Sequence, residues 1–181
     1  MPLVLLDRDG VVNEDSADFV KSPHEWRPIA GSLNAVARLK RAGFAVAICT
    51  NQSGIARGLL DVSALEAIHD RMRSQLAQQG GALDGIYVCP HGPEDGCTCR
   101  KPRAGLLSRA MAELGYAASS TQYIGDSVRD MQAALTAGCT PILVRTGNGR
   151  ASEDAVRKLG VVHVHDDLAS ATEWILTAYR G

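Results

Sequence analysis

Two aspartates separated by one residue follow a short apolar segment near the start of the chain. Residues Leu3–Leu6 are four consecutive apolar residues, which is typical of a buried strand, and Asp7, Asp9 and Gly10 come directly after them. Open α/β sheets bind their ligands at the carboxyl ends of the strands. Two carboxylates this close repel each other unless a cation holds them together. The spacing therefore predicts a Mg²⁺ site in which one aspartate can serve as a nucleophile.

Two more polar segments follow strand-like segments in the same way. Thr50, Asn51, Gln52 and Ser53 come after the apolar residues 45–49, and Asp126 comes after residues 122–124 and a glycine. Such residue types are also common in simple turns. Because the carboxyl ends of parallel strands meet at one edge of a sheet, the repetition at three strand ends favours one shared site.

Residues 89–99, which we call the zinc-binding loop, contain three thiols and one imidazole within eleven residues. This ligand set and count match a closed tetrahedral Zn²⁺ site, which is structural because it leaves no position open for water. The alternative is a solvated histidine beside three free thiols. The predicted ligands are Cys89, His91, Cys97 and Cys99.

Strand-like and helix-like segments alternate along the whole chain. Strands are predicted at residues 3–6, 45–49, 85–88, 122–124, 141–144 and 161–164, and helices at 31–42, from 63, and at 106–114, 130–137 and 167–178. The helix from 63 is predicted to start with a capping box formed by Ser63 and Glu66. Repeated βα units predict an α/β fold: a Rossmann-like three-layer sandwich with a mainly parallel central sheet. We expect one domain over residues 1–181, with the zinc-binding loop and no separate cap domain.

Composition and charge narrow the class of partner. The 181 residues are 45% hydrophobic and carry a formal net charge of -1, which gives no electrostatic reason to expect nucleic acid or an anionic membrane. No apolar run approaches the roughly 20 residues of a membrane-spanning helix, and no secretory signal is visible. We therefore expect a cytoplasmic protein that is a monomer, with Cys49 and Cys139 as small buried hydrophobic residues.

Together these motifs resemble the haloacid dehalogenase superfamily of phosphohydrolases, over residues 3 to about 145. The D-x-D-G motif of that family is matched by residues 7–10, its Ser or Thr motif by Thr50, its lysine by Lys101 and its acidic motif by Asp126. The resemblance implies that Asp7 attacks phosphorus and that Asp9 is the general acid and base. It also implies Mg²⁺ ligation by Asp7, Asp126 and the backbone carbonyl of Asp9.

Other residue roles follow from the same resemblance. Thr50 and Lys101 would bind the phosphoryl oxygens, and Arg100 would recognise substrate. Substrate contacts are also implied for the segment after the D-x-D motif and for the end of the second strand, namely Asp15, Ser16, Ala17, Asp18, Asn51, Gln52, Ser53 and Ser127. For Asp130, a solvated acid in the first turn of a helix is the alternative to a metal ligand. Arg57 is interpreted as solvated, and His69 as a surface or packing residue.

The pattern Cys-x-His…Cys-x-Cys-Arg-Lys-Pro narrows the resemblance to one small group. That group contains heptose 1,7-bisphosphate 7-phosphatases and histidinol-phosphate phosphatases, and the segment 50–58 resembles the heptose enzymes. Two features depart from the common heptose pattern: the zinc-binding loop is short, and Ser127 stands where many members carry lysine. The expected substrate is a sugar bisphosphate, whose product feeds nucleotide-activated heptose and lipopolysaccharide core synthesis.

Three alternative functions remain open at this point. The first is the same chemistry with histidinol phosphate as the substrate. The second is a non-catalytic module whose aspartate is phosphorylated and stays phosphorylated. The third is an interaction protein built on the zinc-binding loop. Asp9 discriminates between an enzyme and a phosphate-accepting module, because only hydrolysis needs an acid and base beside the phosphorylated residue.

Overall fold

The computed structural model describes residues 2–161 and 163–179. Within these residues, six strands form one sheet: β1 Leu3–Leu6, β2 Ala45–Asn51, β3 Gly85–Cys89, β4 Thr121–Gly125, β5 Thr140–Val144 and β6 His163–His165. Their order is β3-β2-β1-β4-β5-β6, and all five neighbouring pairs are parallel. The chain therefore moves outward from β1 in one direction and then outward from β4 in the other. This reversal beside β1 creates the crevice in which open α/β sheets bind their ligands.

Six helices cover the two faces of the sheet in the same part of the chain. They are α1 Ser32–Arg41, α2 Val62–Gln78, α3 Gly105–Leu114, α4 Val128–Ala137, α5 Gly149–Lys158 and α6 Leu168–Ala178. Helices α1, α2 and α6 pack on one face, and α3 and α4 pack on the other with α5 beside them. The predicted Rossmann-like three-layer α/β sandwich with a parallel sheet is confirmed. None of the described helices is long and apolar enough to span a membrane.

The central strand shows why its sequence is apolar without interruption. Val4 and Leu6 belong to the core under α1, α2 and α6, whereas Leu3 and Leu5 belong to the core under α3 and α4. All four are fully buried because side chains alternate between two covered faces. The strand can therefore place the next residue, Asp7, at a rigid and well-defined point at the edge of the sheet.

Several boundaries differ from the sequence-based expectations. Helix α2 is capped by Asp61, whose side chain accepts a hydrogen bond from the backbone N–H of Ala64 at 2.7 Å, so the capping box predicted at Ser63 is wrong. Strand β3 extends through Cys89, the first residue of the zinc-binding loop. Helix α5 was not predicted at all. The last strand was predicted at residues 161–164, of which 162 lies outside the described residues, and it is found at His163–His165.

Candidate active site

The three central strands bring the predicted polar segments to one edge of the sheet. Leu6 pairs with Ile48 of β2 on one side and with Ile124 of β4 on the other, so the carboxyl ends of the three strands lie at one edge of the sheet, where β2 continues to Asn51. The backbone N–H of Asp7 donates to the carbonyl of Ile124 at 2.9 Å, which continues the ladder by one residue. Asp7 and Asp126 therefore follow adjacent strand ends, as the sequence predicted, whereas Thr50 lies within β2, which continues two residues beyond the predicted end.

Lys101 is the buried cation at the centre of the site. Its side chain is 2% exposed, and its Nζ lies 2.8 Å from Asp7 Oδ2, 2.7 Å from Asp130 Oδ1 and 2.8 Å from the hydroxyl of Tyr123. The backbone of Lys101 is held by Asn51, which donates from Nδ2 to the carbonyl at 3.1 Å and accepts from the N–H at 3.1 Å. Strand β2 thus fixes the loop that delivers the lysine to the nucleophile predicted at Asp7.

Asp130 is buried, at 1% exposure, and the interpretation of this residue as a solvated acid in the first turn of α4 is wrong. Its Oδ2 accepts from the Ser127 hydroxyl at 2.6 Å in a capping box, while its Oδ1 pairs with Lys101. The carboxylate reaches this position because Gly125 leaves space: a Cβ on that glycine would lie 2.3 Å from the Cβ of Asp130. Burial raises the pKa of Asp130, but Lys101 and the hydrogen bonds from Ser127 outweigh it and lower the pKa below its usual value.

Asp9 is surrounded by hydrogen-bond donors. Arg8 donates from Nη2 to Oδ1 at 2.9 Å and to Oδ2 at 3.1 Å, Asn13 donates to Oδ1 at 2.9 Å, and Gln52 donates to Oδ2 at 2.8 Å. Burial raises the pKa of Asp9, but Arg8 and the two amides lower it below its usual value. Gln52 also donates to Thr50 Oγ1 at 2.9 Å, so the threonine and the predicted acid/base are connected through one amide. The carboxylate orientation is therefore fixed before substrate arrives.

Asp126 lies where two glycine backbones approach each other. Gly10 has φ +81°, and a Cβ on it would lie 2.2 Å from Asp126 Oδ2 and 3.3 Å from the Cα of Gly147. Asp126 Oδ2 accepts from the backbone N–H of Asn148 at 2.8 Å. Burial and the nearby Asp130 raise the pKa of Asp126 to about 6, against the lowering effect of Asn148. The glycine of D-x-D-G is needed here because any larger residue would displace the carboxylate.

Three carboxylates of this site are grouped as metal ligands would be. One oxygen each from Asp7, Asp126 and Asp130 lies within 4.8 Å of the others. Burial raises the pKa of Asp7 well above its usual value, and the repulsion of Asp130 and Asp126 adds to this against the effect of Lys101. A divalent cation removes such repulsion, and oxygen ligands of this kind suit Mg²⁺. The residues present therefore fit the predicted magnesium site, with Asp130 already engaged by Lys101 and Ser127.

The four residues predicted as zinc ligands converge in the structure. Cys99 Sγ lies 3.2 Å from Cys89 Sγ and 3.3 Å from His91 Nδ1, and Cys89 Sγ lies 3.8 Å from Cys97 Sγ. A tetrahedral zinc with its usual bond lengths separates its ligand atoms by about 3.3–3.8 Å. The cluster could therefore hold zinc. Arg100 follows at once, and its Nη1 donates to the carbonyl of His91 at 3.1 Å, so the loop also positions this arginine.

The four aspartates of the site and Lys101 line a polar cavity of about 280 Å³. Of the predicted substrate-binding residues, Asp15, Ser16, Asn51, Gln52, Ser53, Arg100, Lys101 and Ser127 line it. Thr50 does not reach its wall, since it is 1% exposed and lies behind Gln52. Ala17 and Asp18 line neighbouring surface depressions instead. The structure thus brings most of the predicted residues together and places these three outside the cavity wall.

Other residues of the cavity were not predicted from the sequence to belong to it. Arg57 and Arg129 are exposed and line the cavity, and Arg57 lies over the ring of Phe19 at 5.8 Å. Asn148 Nδ2 bridges Asp15 Oδ2 at 3.0 Å and Asp126 Oδ2 at 3.2 Å. No sequence signal distinguishes Asn148 from an ordinary turn residue. The sequence-based interpretation of Arg57 as a solvated residue agrees with its exposure.

Comparison with known proteins agrees with this geometry. The Hydrolase_like family model, described as HAD-hydrolase-like, matches residues 98–171. The D-glycero-beta-D-manno-heptose-1,7-bisphosphate 7-phosphatase of Bordetella bronchiseptica is 51% identical over 176 residues, covering 97% of this chain and 98% of the relative. The enzyme of the same name from Pseudomonas aeruginosa is 47% identical over 179 residues, covering 96% and 97%.

Solved structures point to the same group. A crystal structure of D,D-heptose 1,7-bisphosphate phosphatase from B. bronchiseptica, complexed with magnesium and phosphate, is 50% identical, covers 98% of this chain and 99% of its own, and has a TM-score of 0.93. The corresponding phosphatase from Burkholderia thailandensis is 37% identical, covers 97% and 99%, and has a TM-score of 0.74. The chain therefore belongs to the family of D-glycero-beta-D-manno-heptose-1,7-bisphosphate 7-phosphatases, within the HAD-like hydrolases.

Proposed function

We propose that this chain removes the 7-phosphate of D-glycero-beta-D-manno-heptose 1,7-bisphosphate and leaves the 1-phosphate. The observation that carries this proposal is the carboxylate pair of Asp7 and Asp9, with Lys101 Nζ 2.8 Å from Asp7 and with three side chains donating to Asp9. The beta anomer is proposed because the relatives at 47–51% identity are named for it.

The side chains divide the reaction between them. Asp7 attacks phosphorus, and the bond from phosphorus to the sugar oxygen breaks as the aspartyl-phosphate forms. The lowered pKa of Asp9 leaves it ionised in the free site, so it takes up a proton as the phosphate binds, gives this proton to the departing alkoxide, and then takes one from the water that hydrolyses the aspartyl-phosphate. Lys101 binds a phosphoryl oxygen and offsets the charge that spreads over the equatorial oxygens. Thr50 contributes through Gln52, which it contacts at 2.9 Å.

We propose that magnesium is held by Asp7, Asp126 and the backbone carbonyl of Asp9. When bound, the ion neutralises the clustered carboxylates and polarises the phosphoryl group. Asn148 keeps Asp126 oriented by two hydrogen bonds to the same oxygen, at 2.8 and 3.2 Å. The magnesium in the crystal structure of the B. bronchiseptica phosphatase supports magnesium as the ion.

Four cations line the cavity beside its five aspartates, and this number of cations supports a bisphosphate rather than a monophosphate. Lys101 Nζ lies 2.8 Å from Asp7 Oδ2, so it serves the phosphate that reacts at Asp7. Three arginines also line the cavity, namely Arg57, Arg100 and Arg129. Guanidinium groups suit bidentate binding of a second, non-reacting phosphate. Asp15, Ser16 and the segment 51–53 then contact the hydroxyl groups of the sugar between the two phosphates.

A substrate panel tests the proposal. We expect kcat/KM for the beta-heptose 1,7-bisphosphate to exceed the values for the alpha anomer, for histidinol phosphate and for simple sugar monophosphates by about 10-fold or more. A monophosphate cannot engage both the reacting site at Lys101 and the three arginines, and the alpha anomer presents its 1-phosphate to the arginines in a different direction. A higher kcat/KM for histidinol phosphate would overturn the substrate and leave the phosphatase chemistry in place.

We further propose that the cluster of three cysteines and one histidine holds one structural zinc per chain. The Cys97→Ala variant should lose this zinc and become less active, because zinc orders the loop that carries Arg100 and Lys101. Metal analysis of the purified protein and steady-state kinetics measure the two effects. The matched control is Cys139→Ala, since Cys139 is buried beside Met111 outside the cluster. A fully active, zinc-free protein would contradict the proposal.

The cellular setting follows from the substrate. A phosphorylated sugar is a charged metabolite that is made and consumed inside the cell, so we propose a cytoplasmic enzyme. Reduced thiols in the zinc cluster agree with such a compartment. We propose that the enzyme acts as a monomer with this small-molecule substrate.

A further inference from the structure

A buried hydrogen-bonded pair connects helix α2 to Asp9, and none of the steps above uses it. Arg8 is 0% exposed, and its guanidinium contacts both carboxylate oxygens of Asp9, including 3.2 Å from Nε to Oδ1. The remaining terminal nitrogen of Arg8, Nη1, lies 3.4 Å from His69 Nε2. His69 is 1% exposed and belongs to α2, far from Arg8 in the sequence.

The chemistry of the two groups fixes the direction of their contact. A guanidinium has donors only, so His69 Nε2 must accept and the imidazole must be neutral with its proton on Nδ1. That nitrogen lies 4.0 Å from the carboxylate of Glu66 at the helix surface. Burial, followed by the charge of Arg8, lowers the pKa of His69 to about 4, so the ring remains neutral at physiological pH.

Packing alone does not account for a histidine at this position. The other residues buried on this helix are apolar, namely Leu65, Ile68, Met72 and Leu76. An apolar side chain would fill the same space without the cost of removing an imidazole from water. His69 adds a hydrogen-bond acceptor for Arg8. Without it, Nη1 of the buried guanidinium would contact no side-chain acceptor among the described residues. The histidine therefore serves the arginine rather than the core.

We infer that His69 is a positioning residue for phosphoryl transfer: by accepting a hydrogen bond from Arg8, it holds the guanidinium in the plane that fixes the carboxylate of Asp9 for proton transfer. The inference rests on the proposed function, because it requires Asp9 to be the general acid. Arg8 is a positioning residue of the same kind, since it contacts Asp9 and lies outside the residues that line the cavity.

Substrates with different leaving groups reveal this role. A sugar alkoxide needs a proton from Asp9 as it departs, whereas p-nitrophenolate leaves without one. Misplacing Asp9 should therefore reduce kcat/KM for a sugar phosphate more than for p-nitrophenyl phosphate. General damage to the fold would reduce both by the same factor. If the wild-type protein does not hydrolyse the heptose bisphosphate, the comparison uses the sugar phosphate with the highest kcat/KM in the panel. An error in the proposed substrate can then be distinguished from an error in the proposed role of His69.

The test compares His69→Met, His69→Gln and Arg8→Lys in the full-length chain with bound metals. We expect His69→Met and Arg8→Lys to lose about 10-fold or more in kcat/KM for the sugar phosphate and less than about 3-fold for p-nitrophenyl phosphate. His69→Gln keeps an acceptor oxygen and should recover most of the loss. Arg8→Lys keeps the positive charge but lacks the planar guanidinium that donates to both oxygens of Asp9. It provides the second measurement if His69→Met does not fold.

The control is Met72→Ala, on the same buried face of α2 one turn further along. It should lower the melting temperature and leave the ratio of the two kcat/KM values unchanged, because Met72 offers no acceptor to Arg8. Three results would each overturn the inference. In His69→Met, kcat/KM could fall by the same factor for both substrates, or it could fall for neither. Alternatively, His69→Gln could lose as much kcat/KM for the sugar phosphate as His69→Met.

Discussion

The Asp9→Asn variant should lose about 10³-fold in kcat on the heptose bisphosphate while remaining folded. Asparagine has the shape of aspartate and leaves the backbone carbonyl of residue 9 in place, but it cannot give or take a proton in the transition state. Positioned general acids and bases contribute roughly 10²–10⁴-fold, and Asp9 is proposed to act in both halves of the reaction. Steady-state kinetics and circular dichroism measure the two properties.

The same variant separates an enzyme from a module that merely accepts phosphate. With p-nitrophenyl phosphate, Asp7 can still be phosphorylated, but the water that hydrolyses the aspartyl-phosphate lacks its base. Acid-quenched protein should therefore carry a phosphate that mass spectrometry of the intact chain detects. Asp154→Asn is the matched control, because Asp154 is exposed on α5 away from the cavity. Turnover by Asp9→Asn within a factor of about 10 of wild type would contradict the proposed role.

Much of the fold could be predicted because each central strand is buried on both faces. Residues Leu3–Leu6 are apolar because their side chains are buried on both faces of the sheet. The result is four consecutive apolar residues, which can be recognised in the sequence. Helix α5 is different: within Gly149–Lys158 only Gly149 and Val156 are buried. One buried side chain gives no helical period to detect. The helix packs against β5 and α4, where little apolar surface is required.

The sequence predicted those site residues that directly follow a strand. It did not predict residues whose position depends on contacts with distant parts of the chain. Asp7, Asp9 and Asp126 follow strands, so their convergence follows from the topology. The burial of Asp130 depends on the missing side chain of Gly125 and on Lys101, which arrives from a loop 29 positions earlier in the sequence. No local pattern contains that information.

For the same reason, the sequence could not predict which residues of the segment 15–18 face the cavity. Asp15 and Ser16 line the cavity, whereas Ala17 and Asp18 face neighbouring depressions of the surface. The segment between β1 and α1 has no helix or strand, so no period relates residue number to direction. Asp15 is tied to the site by Asn148, whose side chain comes from the other half of the sheet.

The Lys101→Met variant should lose both activity and stability, and the loss of stability should depend on pH. Removing the lysine leaves Asp7 and Asp130 without their buried cation, and breaking a buried ion pair in this way costs about 3–5 kcal/mol of unfolding free energy at neutral pH. Activity should fall by about 10²-fold or more, because the phosphoryl oxygens lose their cationic partner. Urea unfolding and kinetics at pH 7.5 measure both.

The direction of the pH dependence follows from Asp130. In the wild type its pKa is lowered, so its ionised form contributes stability above the unfolded pKa, and this stability is lost as the pH falls through the folded pKa. In Lys101→Met, burial is no longer offset by the cation, so the folded pKa rises above the unfolded value. The variant is then penalised above the unfolded pKa, and protonation relieves the penalty as the pH falls. The difference from wild type should therefore be smaller at pH 5 than at pH 7.5.

Two further variants identify the cause. Adding Asp130→Asn to Lys101→Met removes the buried carboxylate and should restore part of the unfolding free energy without restoring activity, since the two residues are in contact and their effects are not additive. Lys40→Met breaks the partly exposed pair with Asp84, and it should cost less than about 1 kcal/mol at either pH. A Lys101→Met variant as stable as wild type at pH 7.5, or one whose deficit grows as the pH falls, would show that Lys101 does not offset the buried carboxylates.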